Sequence, residues 1–118
     1  MYPGIDIIEI ERVGSAFQRQ PKLSERLFTS REREYLINKG IQSYAAHFAA
    51  KEAILKTLGR GLSGLSWHDI EIINDSSGEP LVNLSARAMD LVFARGGSQV
   101  RVSISHNRTQ AIAFAILS

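Results

Sequence analysis

Gln42-Ser43-Tyr44-Ala45-Ala46-His47-Phe48-Ala49-Ala50-Lys51-Glu52-Ala53-Ile54-Leu55-Lys56-Thr57-Leu58 decides the fold of this chain. The stretch is rich in Ala, Leu, Lys and Glu, strong helix formers, and predicts a helix over 42–58. Projected at about 100° per residue, its apolar and small side chains cover nearly the whole circumference. Such a helix needs cover on most sides and belongs in the middle of a domain. Glu52 and Lys56 break the pattern, four residues apart on one edge beside Ala45 and Ala49. Those small neighbours leave the helix backbone open to approach by another molecule. The same spacing also describes an ordinary helical ion pair, worth a few tenths of a kcal/mol.

The flanking segments supply the cover. Residues 4–10 are β-branched and apolar apart from Asp6 and Glu9, and read as a strand. A helix follows over 11–20 and stops at Pro21, with a short helical piece over 22–28. Thr29-Ser30-Arg31-Glu32 is a capping-box pattern, which predicts a helix over 30–39 and makes Gly40 its C-terminal glycine. Gly59, Arg60, Gly61 and Gly64 form a loop after the central helix. Residues 67–74 read as a strand, 75–80 as a turn and 81–84 as the returning arm of a hairpin. Ser85 caps a helix to Arg95 that Gly96-Gly97 ends. Residues 100–105 alternate, 106–109 are a loop, and 110–117 are a final apolar strand.

These elements make an α+β domain over residues 1–118, with a mainly antiparallel sheet packed with a long central helix. The last strand is apolar on both faces: Ile112, Phe114 and Ile116 on one, Ala111, Ala113, Ala115 and Leu117 on the other. The alanine face predicts close packing against a helix or a second subunit.

A chain of 118 residues forms one domain, and 44% hydrophobic with 22% charged residues excludes the disordered, collagenous and low-complexity classes. The absence of cysteine removes disulfides, thiolate metal sites and cysteine nucleophiles, and agrees with a cytoplasmic location. No apolar run approaches the roughly 20 residues of a membrane span, and the N-terminus carries acids where a signal peptide carries bases. The net charge of +2 hides an asymmetry: from Arg12 to Arg33 six bases face two acids, and from Leu62 to Val92 five acids face one base. A basic segment attracts an acidic partner at long range, although the same charges also serve to solvate a helix face. The aromatics interleaved with bases that mark an RNA-binding strand are missing, so no nucleic-acid partner is expected.

Asp6 sits within Ile5-Asp6-Ile7-Ile8. If buried, its carboxylate needs a cation, an arginine or a helix N-terminus; the alternative is an acid facing water at a strand end. Asp6 and Glu52 together are hard oxygen ligands of the kind that hold Mg²⁺ beside substrate phosphates. Lys56 adds a point charge for a phosphate. Gly59 and Gly61 permit close backbone approach to a bulky anion. Gly59-Arg60-Gly61-Leu62-Ser63-Gly64 is not a Walker motif, so a P-loop or dinucleotide fold is not supported. His106 opens a polar loop with Asn107, Arg108 and Thr109, a composition suited to phosphate.

Five segments in order now resemble the motifs of one family. They are Gly4-Ile5-Asp6-Ile7-Ile8-Glu9-Ile10-Glu11-Arg12-Val13; Phe28-Thr29-Ser30-Arg31-Glu32; Phe48-Ala49-Ala50-Lys51-Glu52-Ala53-Ile54-Leu55-Lys56; Ile70-Glu71-Ile72 through Gly78-Glu79-Pro80; and Val102-Ser103-Ile104-Ser105-His106. The family is that of the holo-acyl-carrier-protein synthases, small single-domain 4′-phosphopantetheinyl transferases, and the likeness spans essentially the whole chain. It implies transfer of 4′-phosphopantetheine from coenzyme A to a serine of apo-acyl carrier protein, leaving adenosine 3′,5′-bisphosphate. Such a transfer needs charge neutralisation and in-line placement more than covalent help.

The resemblance also implies roles residue by residue. Asp6 and Glu52 bind Mg²⁺ on the pyrophosphate. Glu52 and Lys56 are the catalytic residues, with Lys56 on the transferred phosphate. Lys56, Gly59, His106, Phe48 and His47 contact coenzyme A. Arg12, Arg19 and Arg26 face the acidic carrier protein. The family is a homotrimer with active sites between subunits, which agrees with the doubly apolar last strand. The base that takes the serine proton stays open between Glu52, Asp6 and a water held by the metal. Two departures stand out: His47 occupies a position commonly arginine in the family, and only Met1-Tyr2-Pro3 precedes Gly4.

Overall fold

The computed structural model describes the whole chain, Met1–Ser118. Its centre is helix α4 (Ile41–Thr57), in which ten of 17 residues are buried, as a helix without a polar face requires. Strands β1 (Tyr2–Glu9), β4 (Val100–His106) and β5 (Gln110–Leu117) form an antiparallel sheet in the order β1-β5-β4, and it packs on α4. The roughly opposite face of α4 carries His47 and Lys51 and meets a separate hairpin of β2 (Ile70–Asn74) and β3 (Pro80–Leu84). Helices α1 (Ile10–Arg19), α2 (Leu23–Leu27) and α3 (Ser30–Leu36) wrap the remaining side, and α5 (Ala86–Ala94) follows the hairpin.

The sheet lies close to α4 because the centre of the contact is lined by alanine and glycine. Ala111, Ala113 and Ala115 of β5 are buried with Ala45, Ala46, Ala49, Ala50 and Ala53 of α4. Gly4 of β1 joins them, and a Cβ there would overlap the carbonyl oxygen of Ala53. The alanine face of β5 thus meets a helix of its own chain rather than a second subunit. It is the bulky face that stays open. Ile5 pairs with Phe114 and Ile7 with Ile112 across the β1–β5 register. These residues form an apolar outer patch, with Ile5 54%, Ile7 58% and Phe114 43% exposed. Ala45 and Ala49 lie under the sheet, so the helix backbone beside Glu52 and Lys56 is not open to another molecule.

Other expectations shift for local reasons. The single sheet is two sheets, because β3 ends the hairpin without pairing to β4. Residues 67–69 are a 3-10 turn rather than strand: the Asp69 carboxylate accepts from the Ser66 backbone at 2.7 Å and closes a capping box. β1 begins two residues early and ends at Glu9, where Ile10 opens α1. The Thr29 capping box forms as expected, but α3 stops at Leu36. Gly40 is extended, at φ −141°, and serves as the N-cap of α4 rather than a left-handed C-terminal glycine. His106 is the last residue of β4, not the first of a loop.

One ion pair is fully enclosed. Lys51 and Glu32 are both 0% exposed and meet at 2.6 Å. Burial pulls the Lys51 ammonium below the usual lysine range, against the opposing charges of Glu32 and Glu71.

The Gly4 contact yields a direct test. Gly4→Ala pushes a methyl into the α4 backbone and should destabilise the fold by about 1–3 kcal/mol, the usual cost of overpacking. Chemical denaturation measures it. A change within error would show that β1 can move off α4.

Candidate active site

β1 alternates, and the close sheet–helix contact decides what the alternation does. Gly4, Asp6 and Ile8 are less exposed than Pro3, Ile5, Ile7 and Glu9. Asp6 follows Gly4 by two residues, so it shares the helix-facing side of the strand one step beyond the tightest contact. There it meets the last turns of α4. The Lys56 Nζ donates to the Ile5 carbonyl at 2.6 Å and to Asp6 Oδ1 at 3.3 Å. The expected helical Glu52–Lys56 pair is absent, and Lys56 is bound instead to β1.

Glu52 is left without a donor. Burial first, and then the Asp6 charge, raise its carboxyl above the ordinary range, and Lys56 offsets only part of this. Two carboxylates therefore share one site with a single lysine. Hard oxygen donors carrying an uncompensated negative charge fit a divalent cation. No third His, Cys, Asp or Glu joins them to complete an all-protein cage, which suits Mg²⁺, an ion that takes one or two carboxylates and leaves its other positions to water and phosphate.

Asp6 and Glu52 open into a cleft of about 880 Å³. Phe48, Leu27, Leu23, Phe17 and Val13 make an apolar wall, and Trp67 packs on Phe48 at 5.2 Å between ring centroids. Arg12, Arg19 and Arg26 line the same cleft, together with Glu9 and Glu11. None of the three arginines enters an ion pair. The acids of the 62–92 segment contrast with them: Asp69 is held by Arg87 at 2.7 Å and Glu71 by Arg31 at 3.5 Å. Pairing thus spends charge on both sides of the asymmetry, Asp69 and Glu71 of the acidic segment and Arg31 of the basic one, while Arg12, Arg19 and Arg26 stay unpaired.

Asp6, Glu52, Phe48, Arg12, Arg19 and Arg26 are brought together in this cleft, with Lys56 bonded to Asp6. The chain places three other expected residues elsewhere. His47 is buried, its Nδ1 donating to the Ser43 carbonyl at 2.9 Å and its Nε2 lying 2.8 Å from the Asn74 side chain. Gly59, at φ +76°, follows α4, and a Cβ there would overlap the Arg95 guanidinium. That guanidinium also donates to the Thr57 carbonyl at 3.2 Å and stacks on Tyr2. His106 is exposed at the end of β4. Trp67 and the apolar wall were missed by sequence reasoning. The one available signal was a lone tryptophan between a Gly-Leu-Ser loop and a hairpin, read there as the start of a strand.

Comparison with known proteins identifies the family. Residues 2–115 match the family model of the 4′-phosphopantetheinyl transferase superfamily. The chain is 44% identical over 115 residues to a holo-acyl-carrier-protein synthase of Alkaliphilus metalliredigens, covering 96% of this chain and 94% of that protein. It is 46% identical over 116 residues to the synthase of Clostridium tetani, covering 97% and 92%. The crystal structure of the Helicobacter pylori synthase in complex with coenzyme A superposes with a TM-score of 0.88 at 35% identity, covering 98% of this chain and 99% of that one. The Neisseria meningitidis synthase gives 0.89 at 26% identity, covering 99% and 97%. Shared fold, near-complete coverage and identity of this order leave one assignment: the chain belongs to the 4′-phosphopantetheinyl transferase superfamily.

Proposed function

We propose that the Asp6–Glu52 cleft is where this chain moves 4′-phosphopantetheine from coenzyme A to a serine of apo-acyl carrier protein. The chain is a phosphopantetheinyl transferase of the holo-acyl-carrier-protein synthase kind, and those two molecules are its substrates. The observation that supports placing the reaction here is the pairing of Asp6 with a Glu52 whose proton affinity is raised, at the inner end of a cleft lined by free arginines.

Asp6 and Glu52 hold Mg²⁺ in this reading. When bound, the ion neutralises and orients the pyrophosphate of coenzyme A. Lys56, already anchored on the Ile5 carbonyl, presents its remaining donor capacity to the transferred phosphate and steadies the leaving charge. Phe48, Trp67 and Leu27 form the apolar wall that keeps water from the reacting centre. Arg12, Arg19 and Arg26 receive the acidic carrier protein.

Gly59, His106 and His47 complete the coenzyme A contacts that the family resemblance implies, and His106 does so across a subunit boundary. Each protomer sets His106 outside its own cleft. The apolar patch of Ile5, Ile7, Ile112 and Phe114 is the surface through which three copies associate, and that assembly brings His106 to a neighbour's cleft. The expected compartment is the cytoplasm, and no helix of the chain is long and apolar enough to cross a membrane.

The metal reading is tested with Glu52→Gln and Asp6→Ala. Transfer, followed by weighing the carrier protein, should fall by about 100-fold or more in either variant, and chelator should stop the wild type. Stability separates this from damage to the fold. Because Glu52 binds its proton more tightly in the native state than in the unfolded chain, metal-free wild type loses stability as pH rises from the ordinary glutamate range through the raised native value. Glu52→Gln is spared that loss. In chelator at neutral pH it should melt a few degrees above the wild type, and millimolar Mg²⁺ should raise only the wild type. Equal responses to Mg²⁺ would overturn the metal assignment.

The assembly reading is tested by sedimentation. Wild type should run as a trimer at micromolar concentration. Phe114→Glu sets a charge in the apolar patch and should run as a monomer with an intact far-ultraviolet spectrum and little transfer. A monomeric, fully active wild type would refute it.

A further inference from the structure

We propose that Lys51 is a positioning residue that sets the width of the cleft, and through it the affinity for the carrier protein. This rests on the reading of Arg12, Arg19 and Arg26 as the carrier-docking surface.

The Lys51 Nζ donates to the Leu27 carbonyl at 2.7 Å, to Glu32 Oε1 at 2.6 Å and to the Trp67 carbonyl at 3.2 Å. An ammonium has three protons, so all are used. The three acceptors belong to three separate segments: the end of α2, the first turn of α3 and the 3-10 turn before β2. Two of them, Leu27 and Trp67, line the cleft, and so does Glu52, the residue next to Lys51 on α4. The ammonium therefore sits behind the cleft wall, where one rigid set of bonds fixes the wall's distance from the helix that carries Glu52. Arg26 precedes Leu27 and moves with it. Glu32 locks the far side of the same joint, since its Oε2 accepts from the Ile72 backbone at 2.9 Å and its Oε1 also accepts from Thr29 at 2.9 Å.

A fully enclosed ion pair is a poor source of net stability, because apolar side chains of similar volume often do as well. What apolar side chains lack is direction. Three bonds of fixed length define one position for three segments, whereas a packed methylene leaves the wall free to slide. The pairing is therefore better matched to setting geometry than to holding the fold together.

The test uses Lys51→Met and the double variant Lys51→Met/Glu32→Gln, which avoids leaving an unpaired buried charge. Each substrate is varied in turn. The carrier KM should rise about fivefold or more, the scale of losing one interface contact, with the KM for coenzyme A little changed. Trp67 is the chain's single tryptophan, so its acrylamide quenching, read well below the melting temperature, should increase as the wall loosens. A merely structural role predicts something different: slower rates in proportion to the unfolded fraction, with both KM values and the quenching unchanged. That result overturns the proposal, and so does failure of both variants to melt cooperatively, which would assign the pair to fold stability. Arg12→Glu, assayed alongside, isolates the docking reading. If its carrier KM is normal, the docking surface is wrong, and the Trp67 quenching alone then decides whether Lys51 fixes the wall.

Discussion

At its centre, the contact between the β1-β5-β4 sheet and α4 is made by glycine and alanine, and the site depends on it. Gly4 touches the backbone of Ala53, and Ala113 and Ala115 are buried beside Ala49, Ala50 and Ala53. Side chains of valine size at these positions would push the strand away from the helix. The Ile5 carbonyl is within 2.6 Å of the Lys56 Nζ only because β1 lies this near. Asp6 then has no choice but to share a space with Glu52, and the electrostatic consequence is the raised proton affinity of Glu52. Two carboxylates 46 positions apart in the sequence come to share one site through the absence of bulk elsewhere.

The same economy governs the charges. Asp69 and Glu71 are tied to Arg87 and Arg31, and Glu32 to Lys51. With these acids paired inside the fold, Arg12, Arg19 and Arg26 remain free along one wall. A long-range field is set by charges left uncompensated, not by the count in the chain. Glu9, Glu11, Asp6 and Glu52 line the same cleft, so the positive field belongs to the arginine wall and not to the cleft as a whole.

Much of this was legible in the sequence because the pattern and the final packing agree. The all-round apolar character of 42–58 demanded a central helix, and the Thr29–Glu32 box announced the start of α3. Asp6 and Glu52 were identifiable as polar groups in apolar surroundings. The alternation of β5 was equally visible, but whether a helix or a second subunit met its alanine face was not. Small side chains are compatible with any close neighbour, and only the tertiary arrangement shows that α4 takes that role and leaves Ile112 and Phe114 outside. Trp67 was misplaced because its backbone is shaped by Asp69 reaching back to Ser66, a local bond that competes with strand formation and leaves no mark in hydrophobic periodicity. His47 shows that adjacency in sequence does not fix surroundings. Phe48, the next residue, lines the cleft, but a shift of about 100° around the helix turns His47 to Asn74.

The arrangement of Glu52 runs against stability, and that opposition is itself informative. A glutamine in its place would remove a repulsion from Asp6 and a burial penalty without disturbing the surrounding apolar wall. A fold selected for stability alone has no reason to set two carboxylates together with one lysine between them. Compensation elsewhere is ample: Asp69 has its arginine, Glu71 has a threonine, an asparagine and an arginine, and Glu32 has a lysine and two backbone donors. Where every other half-buried or buried acid of the core is satisfied from within the chain, the one that is not is the mark of a functional site rather than of a stabilising contact, which is what supports the metal reading proposed for it.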